Sequence, residues 1–161
     1  MNITELAGAY RELLAAAGAI TDTAQLPPVP RATVDWTLSH VALSDTMLAT
    51  AAARVRDGLP AEVDNRDAMD ERAIAALVDA TTHAERVDRV RANGEALVAT
   101  VRTIPDERAD TLVRLRIVDR SGRQVVDERR PWSELVRLRA TEHLPGHAAR
   151  IAAAGAGRHV D

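Results

Sequence analysis

The sequence predicts a mainly α-helical protein, a four-helix bundle with one β-hairpin inserted before the last helix. Three observations carry that expectation. Apolar residues recur three and four apart over most of the chain, as on a helix with one buried face. The apolar residues are chiefly Ala, Leu and Val, with no Phe and 2% aromatics. Small side chains of that kind suit closely packed helices better than a sandwich rich in aromatics. Between about residues 111 and 129 the period changes to two, which reads as a hairpin.

The first helix is expected over 2–20. Asn2 and Glu5 fit a capping box, and Leu6, Leu13, Ala17 and Ile20 share a face. Gln25 to Pro30 contains three prolines and reads as a connection. A second helix should run from about Thr33 to Asp57, with Trp36, His40, Leu43, Met47 and Ala51 in one stripe and a stop at Gly58 and Pro60. Residues 61–69 form a polar link. A long third helix is expected from about Asp70 to Thr103, carried by Ile74, Leu77, Thr81, Ala84, Val87, Val90, Leu97 and Val101, and weakened or bent at Gly94.

In the hairpin, 112–118 and 124–129 should pair across Ser121-Gly122. The last helix starts near Pro131-Trp132-Ser133 and places Val136, Ala140, His143, His147, Ile151 and Ala154 on one face. It ends at Gly155 and Gly157, leaving a flexible tail over about 156–161. A length of 161 residues fits one domain over 1–161.

Composition narrows the function. Net charge is −3, and all 21 basic residues are Arg, interspersed with acids. No basic patch argues for nucleic acid. With no Cys, the chain has neither disulfides nor a thiolate of its own. No apolar run is long enough for a membrane span and no signal-peptide pattern opens the chain, so a cytoplasmic protein is expected. Gly-rich phosphate loops, G-x-S-x-G elbows and dinucleotide fingerprints are absent from the sequence.

His143 and His147 carry the strongest chemical signal. Positions four apart on a helix share a face, and two imidazoles held so can bind one divalent ion. His40, on the apolar stripe of the second helix, is the third candidate. Three imidazoles would leave open coordination positions, as in catalytic metal sites. Pro145-Gly146 leaves two readings open: one kinked helix, or a helix ending near Glu142 and another starting at Pro145.

The other polar residues carry weaker signals. His83 reads as solvated surface and His159 as tail. Asp64, Asn65, Asp67 and Asp70 have the composition of a cation loop but not its spacing, and read as a solvated linker. Ser39 and Ser44 flank His40 without an assignable base. Glu142, beside a candidate ligand, reads as a proton acceptor or as a surface charge. Arg137, Arg139 and Arg150 read as contacts for carboxylates or as an exposed face.

Asp35 to Ala42, with Trp36 four residues before His40, and Glu142 to Ile151 resemble the motifs of the DinB/YfiT family of metalloenzymes. The first segment is similar to the Trp-x-x-x-His stretch of the mycothiol-dependent maleylpyruvate isomerase branch. The second is similar to the family's His-x-x-x-His motif. The resemblance implies a four-helix bundle with metal ligands at His40, His143 and His147, and zinc or nickel as the metal. It also implies a low-molecular-weight thiol such as mycothiol as cosubstrate, with an electrophilic substrate in S-transfer or isomerisation. The isomerase branch often carries Glu where this chain has His143. The alternative is a non-catalytic helical-bundle binding or dimerisation module with a vestigial or structural metal site, and a homodimer is also an expectation.

Overall fold

The computed structural model describes residues 2–157, and His159 and most of the expected tail lie outside them. The protein is mainly helical with a small three-stranded sheet. Helix α1 (Ile3–Gly18) starts where the Asn2 side chain accepts from the Glu5 amide. Helix α2 (Pro28–Arg56) begins earlier than the prolines suggested. They occupy its first turn, where a missing N–H leaves no bond unmade. Gly58, at φ 71°, turns the chain out of α2.

The expected polar link over 61–69 instead holds strand β1 (Glu62–Asp64) and a four-residue helix, α3 (Arg66–Met69). The long third helix is also corrected. It is two helices, α4 (Glu71–Ala80) and α5 (His83–Arg102). The break lies at Thr81-Thr82, because Thr82 and Glu85 form a reciprocal capping box that starts a new helix. Arg86 secures the junction by donating to the carbonyls of Val78 and Thr81 and pairing with buried Asp35 at 2.5 Å. Asp70 caps α4 through the amides of Arg72 and Ala73.

Strand β2 (Leu112–Val118) pairs antiparallel with β3 (Gln124–Pro131), as the alternation predicted. It also pairs in parallel with β1, which the sequence reading did not anticipate, so β2 is central. Asn65, expected in a solvated linker, is buried and fastens the end of β2 by bonding both the amide and the carbonyl of Val118. The chain then runs through α6 (Trp132–Leu138), a π-helical turn (Arg139–His143) and α7 (Leu144–Ala156).

Helices α1 and α2 each pack against both α5 and α7. The core between them is mostly Leu, Val and Ala, with Trp132 as its largest fully buried side chain. Gly94 is buried where the Tyr10 ring of α1 crosses α5, and a Cβ there would lie 2.7 Å from Tyr10. The sheet covers the flank of α2 that carries Trp36, His40 and Met47, and leaves a cavity beneath it.

Candidate metal centre

Pro145 lacks an amide hydrogen, so it cannot bond the Thr141 carbonyl as an α-helix requires. The helix answers by widening into one π turn, closed by the Leu144 amide on the Arg139 carbonyl. Pro145 then falls in the first turn of α7, and the helical path runs unbroken from Trp132 to Ala156. Of the two readings open at Pro145, the continuous one holds, with a change of helix type in place of a break. His143 ends the π turn and His147 follows one turn into α7.

The three candidate histidines converge. The Nε2 atom of His143 lies 3.3 Å from that of His40 and 3.4 Å from that of His147. Two nitrogens about 2.0–2.1 Å from one ion at a tetrahedral angle stand roughly 3.3–3.4 Å apart. All three ligand atoms lie within 4.8 Å of one another, and His40 and His147 are buried. Trp36 stacks on His40 with ring centroids 4.8 Å apart and planes 11° apart, fixing that imidazole from the side.

Hydrogen bonds assign the tautomers. His40 Nδ1 lies 2.8 Å from the Ala68 carbonyl, which can only accept. His40 therefore carries its proton on Nδ1 and presents the Nε2 lone pair to the cluster, the usual arrangement of a metal-ligating histidine. His143 differs. Arg139 donates from Nη1 to His143 Nδ1 at 2.7 Å. His147 Nδ1 likewise receives Arg150 Nη1 at 3.2 Å. A neutral ring that accepts at Nδ1 keeps its proton on Nε2. The three Nε2 atoms suit a divalent ion in number and His143 lies at the right separation from the other two, while His40 alone is preset in tautomer as well. Capture at His143 and His147 requires their arginine contacts to loosen.

All three imidazoles are held neutral. Burial lowers His40 to about 4, with a further push from Arg139, Arg120 and Arg150. Burial lowers His147 to about 3, followed by His40 and by Arg139, Arg150 and Arg120. Burial also lowers His143, with Arg139 next. Neutral imidazole is the form that ligates metal.

Behind the cluster stands a buried network that the sequence reading missed. Arg139, read as exposed or as a carboxylate contact, is 5% exposed and ion-paired through Nη2 with the fully buried Asp45. Tyr10 donates its hydroxyl to the same Asp45 oxygen. Burial pushes the Asp45 carboxyl up and Arg139 opposes that shift, while Arg139 itself is held above its ordinary value by Asp45. The signal was present: Leu38, Val41, Asp45, Leu48, Ala52 and Val55 form a second apolar stripe with a carboxylate in it.

The structure leaves the other candidates outside the cluster. Glu142 is exposed and faces Arg137 at 3.9 Å. His83 is half-buried, not solvated, and bonds the Ala17 carbonyl at the end of α1 at 3.0 Å. Ser44 lines the cavity but returns its hydroxyl to the Val41 carbonyl, and Ser39 is buried. Asp64 pairs with Arg66 and Arg116.

The cluster closes one end of a cavity of about 400 Å³. Its walls are Trp36, Met47, Leu48, Val63, Met69, Leu115, Ile117, Val118, Leu135 and Leu138, with Ser44, Asn65 and Arg139 as polar members beside the histidines. Among the described residues no helix is long and apolar enough to cross a membrane. Comparison with protein-family models, curated proteins and solved structures finds no match.

Proposed function

We propose that this chain is a four-helix bundle of the DinB/YfiT type and a metal-dependent enzyme. His40, His143 and His147 would hold a divalent ion, zinc or nickel. A low-molecular-weight thiol of the mycothiol type would serve as cosubstrate in S-transfer to, or isomerisation of, an electrophile. The observation that carries this reading is the convergence of three neutral Nε2 atoms at the end of an apolar cavity.

A bound ion would supply the charge that keeps a thiol deprotonated near neutral pH. The chain's own residues favour the same outcome. Arg120 and Arg150, which form no salt bridge among the described residues, add positive charge near the cluster, which favours a thiolate over a thiol. The apolar walls lower the local dielectric and strengthen that attraction. The sulfur must come from a cosubstrate, because the chain has no Cys. With three protein ligands, open positions remain for it.

Metal analysis of protein prepared without a histidine tag tests the first half, and one zinc or nickel ion per chain is expected. Cobalt-substituted protein titrated with mycothiol or a simple thiol tests the second. Sulfur-to-metal charge-transfer absorption is expected. A chain that takes up no stoichiometric metal removes the centre. A chain that loads cobalt but shows no spectral response to thiols removes the thiol chemistry.

A further inference from the structure

The guanidinium groups on β2, the β2–β3 turn, α6 and α7 are not all alike. Arg116 pairs with Glu62 and Asp64, Arg123 with Asp119, and Arg137 with Glu142. Arg120 and Arg150 are exposed, and neither forms a salt bridge among the described residues. Each touches a residue of the cavity lining, Arg120 touching Trp36 and Arg150 touching His147. Arg120, on the turn between β2 and β3, lies 3.8 Å over the Trp36 ring that stacks on His40. Arg150, on α7, donates to His147 Nδ1 at 3.2 Å. The cavity that Trp36 and His147 help to line contains no carboxylate in its lining.

This arrangement has an electrostatic consequence. Arg139 is neutralised by Asp45, but Arg120 and Arg150 leave two exposed positive charges close enough to act on the histidines at the cavity lining. Their fields add at the histidines and favour an anion there. A guanidinium stacked on an aromatic face keeps its N–H edge free to donate, and carboxylates match that edge. The far walls, Met47, Leu115, Ile117 and Leu138, offer only apolar contact. A volume of about 400 Å³ lies within the usual range of small-molecule sites.

We infer that the cavity binds an amphipathic organic anion, with its carboxylate received by Arg120 and Arg150 and its apolar chain or ring laid along Met47, Leu115, Ile117 and Leu138. This names a substrate class for the site proposed above and rests on that reading only in sharing its cavity, since the arginines act without a metal.

Octanoate and 1-octanol are suitable probes, being alike in chain and different in charge. Each is titrated calorimetrically into tag-free protein in EDTA and again after zinc loading. Octanoate should bind the metal-free protein about tenfold or more tighter than octanol, the scale of a charge-assisted contact. R120Q combined with R150Q should reduce octanoate to the octanol level, with an unchanged circular dichroism spectrum. Equal binding of the two probes, binding of neither, or a preference that survives the double substitution overturns the inference. Octanoate that binds only after zinc loading also overturns it, because the head group then sits on the ion, and the proposed metal centre stands. A preference for octanoate in EDTA by a protein that takes up no zinc supports the anion site while the metal centre fails.

Discussion

Asp45→Asn removes the negative charge that compensates Arg139 in the interior. Asp45 is fully buried and Arg139 is 5% exposed, so water cannot take over the lost interaction without opening the core. Breaking a buried pair by deleting one partner costs about 3–5 kcal/mol. Asn keeps an oxygen for the Tyr10 hydroxyl, so the loss is expected in the lower half of that range. For a domain of this size 1 kcal/mol moves Tm by about 2–4 °C, so a fall of about 6–16 °C is predicted. Urea denaturation followed by circular dichroism reads the change as a shift in midpoint at constant slope. Replacing both partners, with Asp45→Leu and Arg139→Met, removes the unpaired charge and should recover most of the loss. A cost below about 1 kcal/mol for Asp45→Asn, or a double variant as unstable as the two single changes summed, would falsify the account of the pair.

Three further outcomes are expected. The folded histidines titrate well below the unfolded value of about 6.5, so below that pH the unfolded chain binds more protons and stability falls. In metal-free protein the loss should approach about 1.4 kcal/mol per pH unit per histidine between pH 6 and 5. His40→Gln should lessen that slope, and a flat urea midpoint across this window would contradict the burial of the cluster. Gly94→Ala should destabilise by about 1–3 kcal/mol in thermal unfolding, although Ala is the better helix former by about 1 kcal/mol. The added Cβ meets a Tyr10 ring held by Asp45, and a stabilised variant would show that ring free to move. His143→Ala should lower metal uptake at equilibrium dialysis by at least about tenfold while leaving the helical signal intact. Undiminished uptake would remove His143 from the ligand set.

The helical class and the hairpin were legible because each rests on a long run of one period, 3.6 in α1, α2 and α5 and two in β2 and β3. The candidate cluster was legible for the same reason: His143 and His147 share a face by spacing alone, and His40 marks a stripe. Boundaries were lost where short-range chemistry overrides the period. Thr82-His83-Ala84-Glu85 starts a helix inside an apolar pattern that continues across it. Strand β1 has three residues and is specified by its partner β2, not by its own sequence. Asp45 was hidden because two stripes on α2 are buried, one facing the cavity and one facing α1 and the π turn, and only the first was followed. Arg120 could not be placed because its position depends on how the hairpin folds over Trp36, a long-range contact.

The buried pair connects stability to the site. As a stabilising device it is a poor choice, since apolar residues of like volume often serve as well or better. Its effect on the cluster is specific. Asp45 takes one guanidinium nitrogen, and the other is thereby fixed against His143 Nδ1. The pair also joins α1, through Tyr10, to α2 and to the π turn at the level of the histidines. The Arg139 charge is cancelled locally by Asp45, whereas Arg120 and Arg150 remain uncompensated near the histidines. The inner arginine therefore orients a ring, and the outer two set the sign of what the cavity accepts. A thiolate on an ion and a carboxylate on the arginines satisfy the same field. The two differ in which atoms receive the charge, three imidazole nitrogens with an ion between them or two guanidinium edges without one.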